Sequence, residues 1–189
     1  MEETKNETRL PIPWGAVIYA AIILAAIGTV LLIRAFVLEP FSIPTESMCD
    51  TLQVGDSVLA EKITLELGGT VSTGDVIVFE NPEKDSEKDV LCKRVIARGG
   101  QTLDMKDGSV YIDGKKLTED YAKGDSYPLY LGKGKHITYP YKVPEGEIWV
   151  MGDNRENSAD SRYFGAIPED SVIGICVMRY LPWSRIGLV

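Results

Sequence analysis

The chain is short of histidine, having only His136, and its three cysteines, Cys49, Cys92 and Cys176, lie far apart in 189 residues. One histidine makes a Ser-His-Asp triad a poor reading of any serine here, because imidazole is the usual base for a hydroxyl nucleophile. His136 sits in LGKGKHITYP, a basic, glycine-containing segment of loop character, where a surface side chain is expected. The cysteines form no CxxC pair and no Cys/His cluster, which argues against a structural zinc site. They allow at most one disulfide, and their spacing does not say which. Basic charge is scarce as well: 20 Lys and Arg against 28 Asp and Glu leave a net charge of −8. A nucleic-acid binder needs a basic surface to meet phosphates, so that class is excluded. The same acidity keeps an exposed domain soluble.

What is present starts with an apolar run. Behind a polar, charged tail (residues 1–13), Trp14 to Ile33 reads WGAVIYAAIILAAIGTVLLI, twenty residues without a charge. That length crosses the hydrocarbon core of a bilayer as a helix. A cleaved signal peptide has a shorter apolar core with a small-residue cleavage site beyond it, and a buried soluble helix shows polar positions at helical spacing. Neither pattern is here, so 14–33 is expected to be a transmembrane helix. Lys5 and Arg9 precede it and Arg34 follows it, a weak preference for a cytoplasmic amino terminus and an extracytoplasmic remainder.

From residue 38 onward the texture is strand and turn. DSVLAEKITL, DVIVFE, VLCKRVIA, GSVYIDGKKL, EIWVMGD and SVIGICVMRYL are short runs rich in Val, Ile and Tyr, punctuated by Gly, Pro, Asn and Asp. VYIDGKKL carries an Asp-Gly pair between two such runs, the two-residue hairpin signal. NPEKDSEKD (81–89) reads as a solvated loop, and the Gly-, Lys-, Tyr- and Pro-rich stretch 121–144 as an elaborated loop or lobe. No long amphipathic helix and no repeat follow the apolar run. The expected fold is mostly β: an antiparallel sheet domain over 34–189 with an inserted β lobe at about 101–146, tethered by one helix.

The chemistry centres on IPTESMCDTL (43–52), where Ser47 stands without a nearby histidine. Serine paired with lysine is the known variant, and the lysine must be neutral to act as a base. At a reference pKa near 10.4, only about one lysine in a few thousand is neutral at pH 7, whereas burial lowers that pKa by up to about 3–5 units. Most lysines here lie in polar runs. Lys93 stands inside DVLCKRVIA, flanked by Leu91, Cys92, Val95 and Ile96. Strand alternation places it on the face of Leu91 and Val95. The competing reading is an edge-strand lysine whose ammonium snorkels to water, and spacing alone does not separate the two.

These residues, in order, resemble the bacterial type I signal peptidases, membrane-anchored Ser/Lys endopeptidases, over nearly the whole chain. The apolar run is followed by IPTESMCDTL, GDVIVF (74–79), KRVIARGG (93–100), GDNRENSADSRYFG (152–165) and RYLPWSRIGLV at the end. The resemblance implies Ser47 as nucleophile and Lys93 as general base. It implies an oxyanion site made by the Ser47 N–H and the Thr45 hydroxyl, and Ser158 as the residue orienting the lysine amine. Asp153, Arg155, Asp160 and Arg162 are then expected to form carboxylate–guanidinium pairs pinning the Ser158 loop. The substrates implied are signal-peptide-bearing preproteins cut after small residues, of Ala-x-Ala type, at the cell membrane beside the secretion translocon, with no cofactor and no metal.

Three features depart from the family pattern. Glu46 replaces a small residue directly before the nucleophile; a positive φ there would cost about 1 kcal/mol, and a carboxylate near Lys93 would hold the lysine charged. Glu46 is expected to point to solvent. Asp50 stands where proline is common, and Ala97, Gly100 and Gln101 alter the run after the lysine block. The rival readings are a soluble self-cleaving Ser/Lys protease, a membrane-tethered β module that lost activity, and a specialised pilin-type processing peptidase.

Overall fold

A computed structural model describes residues 14–83, 89–129 and 137–189. The tail 1–13, His136 and the middle of the 81–89 loop lie outside the described residues. The apolar run forms one helix, α1 (Trp14–Phe36), ending three residues past the expected span. Nothing from Trp14 onward breaks it: the helix holds no proline, and its Ala and Leu residues lose little or no side-chain entropy in a helix. Ile18, Ile22, Leu24, Val30 and Leu31 all stand exposed on it. Its Trp14–Arg34 portion has mean hydropathy 2.7, enough in length and composition for a bilayer span.

The rest is antiparallel β. One large sheet takes β1 (Leu38–Ser42), β2 (Ser57–Glu61), β3 (Val76–Glu80), β4 (Val90–Arg98), β9 (Glu147–Met151), β10 (Ile167–Pro168), β11 (Val172–Leu181) and β12 (Gly187–Leu188). Its strand order is β1-β2-β11-β3-β4-β9-β10, with β12 also on β11. A second, four-stranded sheet holds β5 (Thr102–Lys106), β6 (Ser109–Ile112), β7 (Lys115–Lys116) and β8 (Tyr141–Lys142), in order β7-β6-β5-β8. Its strands fall within the 101–146 stretch read as an inserted lobe.

Local chemistry explains several of these joints. Asp113 and Gly114 turn β6 into β7 with φ of 50° and 76°, the double positive φ of a type I′ turn. Asp107 and Gly108 turn β5 into β6 with φ of 49° and 72°, a second Asp-Gly hairpin of the same kind. The run DSVLAEKITL is not one strand throughout. β2 stops at Glu61, whose Oε2 accepts from Thr64 N at 3.1 Å, and one helical turn, α2 (Ile63–Glu66), follows.

Two core clusters set the site. Trp149 is fully buried where β9 and β4 of the large sheet meet Leu103, Met105 and Val110 of the smaller one, with Val143 just past β8, fixing the two sheets together. Losing such a side chain costs about 3–5 kcal/mol. A second cluster packs Ile43, Met48 and Leu52 against Val58, Val76, Val78 and Cys176. Met48, next to Ser47, is thus a buried plug that ties the serine turn to the sheet.

Candidate active site

Ser47 lies on a single 3₁₀ turn, Glu46–Met48, and is 7% exposed. The turn closes by Cys49 N donating to Glu46 O at 3.1 Å, and Leu52 N donates to Met48 O at 2.7 Å. Lys93 comes from β4, which lies between β3 and β9 in the interior of the sheet. The edge-strand reading therefore fails, and Lys93 is 3% exposed. Leu91 and Val95 pack into one core cluster and Cys92 into another, as alternation requires. The Lys93 amine is hydrogen-bonded to Ser47 Oγ at 2.7 Å and to Cys92 O at 3.0 Å. Thr45 Oγ1 lies 3.2 Å from Ser47 Oγ.

The loop 152–158 closes over the other side of the serine. Asn154 N donates to Ser47 O at 3.0 Å, and Asn154 Nδ2 donates to Glu46 O at 3.1 Å. Glu46 itself is exposed and its Oε2 accepts from Asn157 Nδ2 at 3.3 Å. Its φ is not positive: among the described non-glycine residues only Asp107 and Asp113 have positive φ. Glu46 therefore carries no left-handed backbone strain.

Ser158 departs from expectation. Its Oγ is buried without a hydrogen-bond partner, so the bond to the lysine amine is not made. That Oγ lies over Gly152, where a Cβ would collide with it and with Ser47 O.

All four charged residues of the block enter carboxylate–guanidinium pairs, two of them with partners outside it. Only Arg162 and Asp160 meet within it, through Nε–Oδ1 at 2.9 Å and Nη2–Oδ2 at 2.8 Å. Asp160 Oδ2 also accepts from Gly152 N at 3.0 Å, and the carboxylate caps the short helix α3 (Ser161–Phe164). Asp153 pairs outward with Arg94 of β4, through Nε–Oδ1 at 2.9 Å and Nη2–Oδ2 at 2.7 Å, and accepts from Thr51 Oγ1 at 2.5 Å. Arg155 pairs with Glu119, Nη1 to Oε2 at 3.0 Å and Nη2 to Oε1 at 2.5 Å. The partners of Asp153 and Arg155 lie far away in sequence, so the sequence alone does not name them. Arg94, Thr51, Glu119 and Asn154 were not singled out from the sequence. For Arg94 a signal existed, as an arginine inside an apolar strand needs a buried carboxylate.

Electrostatics follow the contacts. Burial opposes the charge on Arg94, but the hydrogen bonds and charge of Asp153 overcome it and raise its pKa. Arg155 behaves alike, with Glu119 overcoming burial. Tyr121, whose ring lies 4.0 Å under the Arg94 guanidinium, is held far above its usual value by burial and by Glu119. Beside the lysine, the Cys92 thiol is lowered, first by a hydrogen bond from Cys176 and further by the Lys93 charge, while Cys176 is raised.

A narrow cleft runs from the serine along Phe41–Thr45 on one wall and Val90–Cys92 on the other, with Val78 between, and holds about 80 Å³. The arrangement provides a buried hydroxyl, an amine in contact with it, a neighbouring hydroxyl and an apolar groove leading to them.

The chain matches the family model described as signal peptidase, peptidase S26, over residues 16–183. It is 36% identical over 184 residues to a probable signal peptidase I-1 of Synechocystis sp., covering 94% of this chain and 89% of that one. Signal peptidase I T of Bacillus subtilis is 36% identical over 184 residues, covering 96% of this chain and 91% of its own. Signal peptidase I of Bacillus licheniformis is 35% identical over 189 residues, covering 98% and 96%. A hydroxyl, an amine and a groove at one place are what acyl transfer to serine needs, and matches of this extent fix the lineage: the chain belongs to the signal peptidase family, peptidase S26, and is a serine peptidase.

Proposed function

We propose that this signal peptidase cuts preproteins with a Ser47/Lys93 dyad, and the 2.7 Å contact between the buried amine and the hydroxyl carries that reading. Taking an ammonium out of water disfavours its charged form, the condition a lysine base must meet. The neutral Lys93 amine accepts the Ser47 proton as Oγ attacks the carbonyl carbon of the residue before the cut. The oxyanion that forms is met by the Ser47 N–H and by the Thr45 hydroxyl. The Lys93 ammonium then gives its proton to the departing amine, which leaves an acyl-enzyme on Ser47. A water, deprotonated by the same amine, attacks the ester, and the proton returns to Oγ as the acid departs.

The cleft takes the residues before the cut as an extended strand, with alternate side chains turned into its walls. Its small, mostly apolar hollow supports selection of small side chains, of Ala-x-Ala type. α1 anchors the enzyme as a single-pass protein with its tail cytoplasmic and the β domain on the extracytoplasmic side, next to the translocon. Fourteen residues separate Ile33 from Ser47, so the nucleophile works within about 50 Å of the bilayer surface even at full extension. That placement suits substrates that are themselves held by an apolar segment. Against the inert-module reading, Glu46 is turned onto Asn157.

The test is a fluorogenic peptide with an Ala-x-Ala site, given to wild type, Ser47→Ala and Lys93→Ala. Turnover by wild type with both variants dead is expected. An active Lys93→Ala variant would sink the dyad.

A further inference from the structure

The turn that carries Ser47 has two sides of different character. Thr45, Ser47 and Met48 line the apolar cleft together with 41–44 and 90–93, and no carboxylate lines it among the described residues. Glu46 is absent from that lining. It stands on the other side, where Asn154 Nδ2 holds its carbonyl at 3.1 Å and Asn157 Nδ2 holds its carboxylate at 3.3 Å. Asp50, the exposed carboxylate after the nucleophile, has a cation 3.6 Å away in Lys123. Glu46 enters no ion pair among the described residues. Its negative charge is therefore left facing water beside the reacting serine.

We propose that Glu46 reads the charge of the first residues after the cut, favouring Lys or Arg there and disfavouring Asp or Glu. This rests on the reading that the cleft holds the residues before the cut. A peptide bond presented to Ser47 from the cleft must continue past the far side of the turn. The departing segment then passes the carboxylate that Asn157 holds. An exposed charge pair of this kind shifts kcat/KM by about two- to fivefold and is screened by salt.

The test uses full-length protein in detergent micelles and three peptides that share an Ala-x-Ala site. They differ only in Lys, Gln or Asp at the second position after the cut. Wild type is expected to prefer the Lys peptide over the Asp peptide at low salt by about two- to fivefold. The ratio should fall towards one at high salt and in Glu46→Gln, and should invert in Glu46→Lys. A ratio of one for wild type at low salt, or an undiminished ratio in Glu46→Gln, overturns the proposal. Absence of any cleavage of the Gln peptide by wild type overturns the dyad reading, and this proposal with it.

Discussion

Lys93 and Arg94 follow one another on β4, and both side chains leave water, but they meet different company. The Arg94 guanidinium forms two parallel bonds to the Asp153 carboxylate, a third to Gly74 O at 2.7 Å, and lies over the Tyr121 ring. The Lys93 amine is hydrogen-bonded to a hydroxyl and to a backbone carbonyl. A carboxylate partner fixes a cation in its charged form, and a bidentate one fixes its geometry as well. Arg94 is accordingly a clamp: it holds the 152–158 loop, and through Asn154 the serine turn, in register with β4. The lysine one residue earlier sits where proton transfer to and from Ser47 Oγ is geometrically available. One strand thus supplies a rigid fastening and a candidate base in consecutive positions.

Four measurements break or sharpen this contrast. Lys93→Met keeps the length and removes the amine, so kcat should fall about 10²- to 10⁴-fold, with the thermal midpoint held or raised. Retained turnover would make Lys93 a second structural cation. Asp153→Asn does the reverse. It leaves the Arg94 guanidinium facing a neutral amide, and urea unfolding should show a loss of about 3–5 kcal/mol. A loss below about 1 kcal/mol, the range of exposed pairs, would remove the clamp from the account. Thr45→Val tests the hydroxyl beside the serine: kcat should drop by about 10²- to 10³-fold, the usual effect of one oxyanion donor, with KM little changed.

The smallest effect is a pH shift. Cys92 lines the cleft, and the Cys176 hydrogen bond lowers its pKa from the free-thiol value. A lowered thiol pKa means the thiolate, the species that reacts, forms at lower pH. Labelling of Cys92 by methyl methanethiosulfonate should therefore level off at a lower pH than for an unperturbed thiol. Cys176→Ala should move that profile to higher pH. An unmoved profile in Cys176→Ala would show that the two thiols do not communicate.

Several features were legible because they are local. The Asp113–Gly114 hairpin was read from two residues, since only residues tolerant of positive φ accept that turn. The Asp107–Gly108 turn carries the same signal, although it was not picked out. α1 was read from the length of its apolar run. The site was legible in part. Ser47, Lys93 and Thr45 do come together, yet the same apolar flanks around Lys93 were equally consistent with an edge strand. Only the position of β4 between β3 and β9 decides for burial. Ser158 was expected to bond the lysine amine, and its buried Oγ has no hydrogen-bond partner.

By itself the sequence determined the apolar span, the antiparallel strand grammar, the Asp-Gly turns and the list of residues able to do chemistry. Each of these depends on neighbours a few positions apart, whose sterics and polarity act whatever the rest of the chain does. The tertiary structure decided which buried cation meets which anion. Arg94 finds Asp153 across 59 residues because β4 pairs with β9, and Arg155 finds Glu119 across 36 because the two loops bridge at Lys123 and Asn154. It also decided that Glu46 turns to Asn157, 111 residues away. Charge pairing is short-ranged in space and indifferent to sequence distance, so only the folded chain could assign it.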